Sequence, residues 1–140
     1  MRSINLFSLL TSVILLSVSC SRNSDDVNSN PGQTAISGIW KVSLFTDSGN
    51  NETNDFTGYN FTFGARGVLT VVKNAVTTNG TWSVNSSSNK FIIDLGAKVA
   101  GNLPLGELTD DWKILSNGAT EIKLVDDNPF SSEFLTFTKN

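Results

Sequence analysis

From residue 36 to residue 139 apolar and polar residues alternate with a period of two, and turn residues cut the alternation into eight runs. That period places successive side chains on opposite faces of a strand, so each run makes a strand with one apolar face. The runs are 36–46, 58–63, 68–73, 80–85, 90–95, 111–116, 120–125 and 133–139. Trp40, Val42 and Leu44 share a face in the first run, and Tyr59, Phe61 and Phe63 share one in the second. Trp82 with Val84, Phe91 with Ile93, Trp112 with Ile114, Ile122 with Leu124, and Leu135 with Phe137 extend the pattern. The longest link, 96–110, has room for a single helical turn but no amphipathic helix.

The links between runs carry as much information as the runs. In order they read long, short, medium, short, long, short, medium, and Asn117-Gly118 is the strongest hairpin signal. In an up-and-down sheet alternate links fall at the same end. The short turns therefore gather at one end and the longer loops at the other, which is the outline of a cup. Eight strands of this length suit closure, and closure removes exposed edges. The expected fold is all-β: a small eight-stranded antiparallel up-and-down β-barrel.

Two interiors are compatible with this pattern. One is a pocket for a small apolar or aromatic ligand, lined by Leu44, Tyr59, Phe61, Phe63, Trp82, Phe91, Trp112 and Phe137. The other is a barrel packed solid by the same side chains, since eight strands enclose just enough room for them. With an open mouth at the long-loop end, Phe45, Asp47, Phe56, Leu103, Leu105, Trp112 and Phe130 would line the rim. In the solid version the protein is a structural or protein-interaction accessory, and exposed loop residues such as Leu103, Leu105 and Phe130 make its contacts.

Composition narrows the chemistry. The 140 residues include no His and one Cys, with net charge −3. The commonest general base and metal ligand is thus missing, as is any internal disulfide. Nucleic acid is an unexpected partner without a basic patch. Asp47, Asn50, Asn51, Glu52, Asn54 and Asp55 gather oxygen ligands in one loop, and Asp110-Asp111 and Asp126-Asp127 fall at the same end. Their spacing matches no EF-hand, and Asn, Asp and Gly are ordinary turn residues. No metal, cofactor or catalytic residue is expected, and no enzymatic activity.

The first 34 residues are of another kind. Residues 1–19 carry Arg2, then an apolar run from Leu6 to Val18 that is short for a membrane span, then Ser19. This is the layout of a secretory signal peptide. Residues 20–34 are rich in Ser, Asn and Asp and read as a flexible tether, ahead of a domain at 35–140.

Two resemblances sharpen the reading. Leu15-Leu16-Ser17-Val18-Ser19-Cys20 resembles the lipobox of bacterial lipoproteins, with Ser17 where that family usually has Leu. The resemblance implies acylation at Cys20 and a lipid anchor in the membrane. Ser24-Asp25-Asp26 resembles the acidic signal that sends many Bacteroidetes lipoproteins to the outer face of the outer membrane. The expected location is the cell envelope, in the outer membrane.

Gly38-Ile39-Trp40 resembles the opening motif of lipocalins, whose Trp packs across the closed end of an eight-stranded barrel. With Tyr59-Asn60-Phe61-Thr62-Phe63, Gly67 and Gly80-Thr81-Trp82, the chain resembles the compact lipocalin-like domains of Bacteroidetes lipoproteins. The resemblance implies that Gly38 and Trp40 form the barrel floor, and that the domain is a binding module. Lipocalins often place an Arg near the last strand to stack on that Trp, and here the position holds Lys139.

Overall fold

The computed structural model describes residues 36–140. The expected signal peptide and tether, with Cys20, lie outside them. Nine antiparallel strands run β1 (Trp40–Asp47), β2 (Asn50–Asn51), β3 (Asn60–Phe63), β4 (Val68–Lys73), β5 (Val76–Asn85), β6 (Lys90–Asp94), β7 (Asp110–Asn117), β8 (Glu121–Val125) and β9 (Phe134–Lys139). Eight of them are neighbours in sequence order around a closed wall, and β2 is a two-residue return on β1. Closure comes from β9 on β1, in register from Trp40↔Lys139 to Thr46↔Phe134. The expected eight-stranded up-and-down barrel is the observed one.

The alternation places apolar side chains inside. Trp40, Phe61, Phe63, Leu69, Val71, Trp82, Phe91, Ile93, Trp112, Ile122, Leu124, Leu135 and Phe137 are all buried. Phe63 joins the layers, making edge contacts with Trp82 at 5.5 Å, Phe91 at 5.4 Å and Phe137 at 5.2 Å. Each such side chain contributes about 1.5–3 kcal/mol by burial. The outward face carries Lys41, Thr62, Thr81, Asp94, Lys113 and Lys123. An apolar lining and a polar exterior are the reverse of a lipid-embedded barrel.

Three sequence expectations need correction. A β-bulge between Val42 and Leu44 shifts the β1–β9 register. It turns Leu44 half out of the core and puts Phe45, 1% exposed, inside with Trp40 and Val42. An extra residue in one strand reverses the parity beyond it, as a bulge must. Second, residues 74–79 are not a medium loop. Asn74 and Ala75, both at positive φ (50° and 64°), join β4 to a ten-residue β5 by a two-residue turn. Third, the mouth is roofed. One 3-10 turn, Thr53–Phe56, and another, Leu105–Leu108, lie across the long-loop end and bury Phe56, Leu105 and Leu108. Phe45, Phe56, Leu105 and Trp112 are therefore buried, and the mouth they were expected to line is covered.

The wall has one thin seam. β1 meets β3 at the single pair Trp40↔Phe61. Beyond it the chain after β1 takes the place of a strand: the Phe45 N–H donates to Thr53 Oγ1 at 2.9 Å, and Glu52 N–H donates to the Phe45 carbonyl at 2.9 Å.

Candidate functional site

The closed end is built around Trp40. Its ring is fully buried against Phe63, edge to face at 6.5 Å. Lys139 reaches back so that its Nζ lies 5.7 Å from the centre of the indole, in cation–π range. Gly38, with φ +111°, leaves the space that the Lys139 side chain crosses. The indole Nε1 of Trp40 is buried and makes no hydrogen bond among the described residues.

The other tryptophans are both satisfied. Trp82 donates to the Gly64 carbonyl at 2.9 Å and pins the β3–β4 turn. Trp112 donates to the Leu108 carbonyl at 3.0 Å, so that a core residue holds the roof of the mouth.

The residues expected to line an interior ligand site have different fates. Phe61, Phe63, Trp82, Phe91, Trp112 and Phe137 pack on one another and on their neighbours within the barrel. Leu44 stands aside at the bulge. Tyr59 lines a pocket among the described residues. It is half-buried at the entrance to β3, with its ring 6.4 Å from those of both Phe56 and Phe61.

That pocket has a volume of about 280 Å3 and is lined by Tyr59, Val71, Lys73, Asn74, Val76, Thr78 and Leu105. Its geometry follows from the β4–β5 hairpin. Leu69 and Val71 face inward on β4, so Lys73 has inward parity too; Thr78 and Val76 stand opposite Val71 and Lys73 on β5. β3 pairs with β4 only as far as Asn60↔Val72. The hairpin therefore overshoots its neighbour, and its inward face hangs over the roof at Leu105. Lys73 Nζ sits 4.2 Å from the centre of the Tyr59 ring. Only Tyr59 and Leu105 of these residues were singled out by sequence. The Asn74-Ala75 turn hid the others, because read as a loop it ends β4 and delays β5.

Beside this pocket, a groove of about 260 Å3 follows the thin seam, lined by Lys41, Val42, Phe56, Gly58, Tyr59 and Asn140 among others. Tyr59 forms the ridge between the two.

Across the mouth lie acids, among them Asp47, Glu52, Asp110 and Asp126 that the sequence placed there, joined by Glu107 and Glu133. Asp47, Glu52 and Glu107 bring carboxylate oxygens within 4.8 Å of one another, as do Asp110, Asp126 and Glu133. A cation already sits in the first group: Lys98 Nζ is 2.6 Å from Asp47 and 3.9 Å from Glu107. Lys98 holds the Asp47 carboxyl below the usual range, and Asp47 raises Lys98. Burial raises Glu107 and Asp110. Burial, and then a hydrogen bond with Asp47, push Glu133 up to about 7. Of the two carboxyls, Glu133 is therefore the one that takes up a proton first as pH falls.

No family model matches the chain, and no curated protein does. Among solved structures it is similar to the crystal structure of a DUF4847 family protein from Bacteroides vulgatus, with TM-score 0.57 and 17% identity over 79% of this chain and 97% of that one. That likeness is one of fold, the eight-stranded barrel. A second match is the NMR structure of a protein from Burkholderia xenovorans, with TM-score 0.47 and 15% identity over 98% of this chain and 99% of that one.

Proposed function

We propose that the protein is a lipid-anchored, lipocalin-like binding module of the cell envelope that takes a small apolar or aromatic ligand at its rim. The observation that carries this reading is the pocket under the β4–β5 hairpin, where Val71 and Leu105 at the edge of the buried core meet Val76 and the Tyr59 ring. Concave, mostly apolar sites with a few polar groups are the common form of small-ligand sites, and about 280 Å3 lies just below their usual range of roughly 300–1,000 Å3. The reading assigns no reaction to the barrel.

A titration with indole tests it, followed by NMR. The expected result is a saturable shift of the Tyr59 ring and Leu105 methyl signals, with the indole N–H signals of Trp82 and Trp112 unmoved. Silence at Tyr59, or shifts at Trp82 and Trp112, would refute it. The anchor rests on the lipobox-like residues before Cys20. Mass spectrometry of the envelope-isolated protein is expected to show an acylated Cys20 as the first residue; an unmodified Cys20 would remove the anchor.

A second reading, a protein-interaction accessory of an outer-membrane complex, is favoured by one observation. Phe130 in the β8–β9 loop is 91% exposed, and Leu103 is half exposed at the same end. A photo-crosslinker at position 130 in intact envelopes would yield a single discrete adduct under this reading and none under the first.

A further inference from the structure

We propose that the rim pocket selects an anionic amphiphile, a short apolar body ending in a carboxylate or similar anion, with Lys73 as the residue that reads the charge. The inference rests on the reading of that pocket as the binding site, and it comes from the placement of Lys73. Inward positions on β4 serve the core: Leu69 and Val71 precede Lys73 on the same face and both are buried. β4 runs one residue past its last pair with β3, Asn60↔Val72, and this carries the next inward position above the roof, where the residue is a lysine. Its stem lies along the apolar wall while its ammonium stays at the surface, over the Tyr59 ring.

Two features make the ammonium available to a ligand. Lys73 is the sole charged residue lining the pocket. Among the described residues its polar contact is with the Tyr59 ring, with no carboxylate within ion-pair distance, whereas Lys90, Lys98 and Lys123 all lie against Asp or Glu. A cation over an aromatic face keeps its other N–H groups free to meet an anion. Thr78 adds a hydroxyl and Asn74 an amide on the same side, while Val71, Val76 and Leu105 offer the apolar floor. The volume of about 280 Å3 limits the body to a short chain or a single ring.

The test compares octanoate with 1-octanol, which share a chain length and differ in charge, on the protein and on Lys73→Gln and Lys73→Arg variants. Binding is read from the ring signals of Tyr59, the one tyrosine of the chain. Octanoate is expected to bind roughly threefold to tenfold more tightly than octanol. Lys73→Gln is expected to abolish that preference by weakening octanoate more than octanol, and Lys73→Arg to keep it. Equal affinity of the two probes on the unaltered protein, or a preference that survives Lys73→Gln, would overturn the charge assignment while leaving the pocket as a binding site. If neither probe moves Tyr59, the pocket itself falls, and the assignment with it.

Discussion

The side chain of Lys139 crosses the backbone at Gly38 to bring its ammonium over the ring of Trp40. Three residues from opposite ends of the domain thereby close the barrel floor. The φ of +111° at Gly38 lies where L side chains are strained, and a Cβ there would also displace the lysine. Gly38→Ala is expected to lower stability by about 1–3 kcal/mol, read by urea denaturation. Lys139→Met, which keeps the stem and loses the charge, should cost about 0.5–1 kcal/mol. Equal losses would mean that the ammonium, not the backbone, dominates the floor.

The three tryptophans differ in one respect that mutation can expose. Trp82 and Trp112 donate hydrogen bonds to backbone carbonyls, and Trp40 donates none among the described residues. All three Trp→Phe changes remove the same volume from a buried site. Trp82→Phe and Trp112→Phe should each be more destabilising than Trp40→Phe by about 1 kcal/mol, since each leaves a carbonyl unpaired. Chemical denaturation of the three variants gives the comparison.

Ala75 is held at φ 64° in the two-residue turn between β4 and β5. Glycine at this place is the usual choice in such a turn. Ala75→Gly is expected to raise stability by about 0.5–1 kcal/mol, seen as a higher melting temperature. A lower one would contradict the turn as described.

The Asp47–Glu133 pair gives a pH dependence whose sign follows from Glu133. Its folded value, about 7, lies above its ordinary 4.5, so between those values the folded protein binds more protons than the unfolded one. This contribution is full below about pH 4.5 and is lost as pH rises toward 7. Because the group is only partly buried, the loss is on the order of 1 kcal/mol. Melting temperatures measured from pH 5 to pH 8 should fall with pH, and Glu133→Gln should flatten the fall. Asp47 acts oppositely and at lower pH, where protonation breaks its bond to Lys98.

The wall was legible in the sequence because alternation, burial and turn chemistry agree over most of it. β4 falls on the run read for it, and Phe61, Phe63, Trp82, Phe91 and Phe137 face inward as their parity requires. The failures share a cause. A bulge leaves no mark in composition, so Leu44 was exchanged for Phe45. Gly80 looked like the start of a strand, yet it sits in the middle of β5, where the Asp94 carbonyl approaches too closely for any Cβ. Reading Gly80 as a boundary cut β5 in half and removed the overhanging hairpin. With it went Val76 and Thr78, the part of the candidate site that sequence parity could have revealed, while Lys73 was left as the last residue of its run. The roof is tertiary: nothing local to residues 105–108 says that Leu105 and Leu108 cover the barrel.

The central claim is that the barrel is solid and that its binding site lies outside, under the hairpin. Crystals of the protein under xenon pressure test it directly, because xenon enters dry apolar cavities. The expected map shows xenon between Tyr59, Val76 and Leu105 and none among Phe61, Phe91 and Phe137. Xenon bound among those three phenylalanines, with the rim pocket empty, would contradict the claim and return the site to the interior.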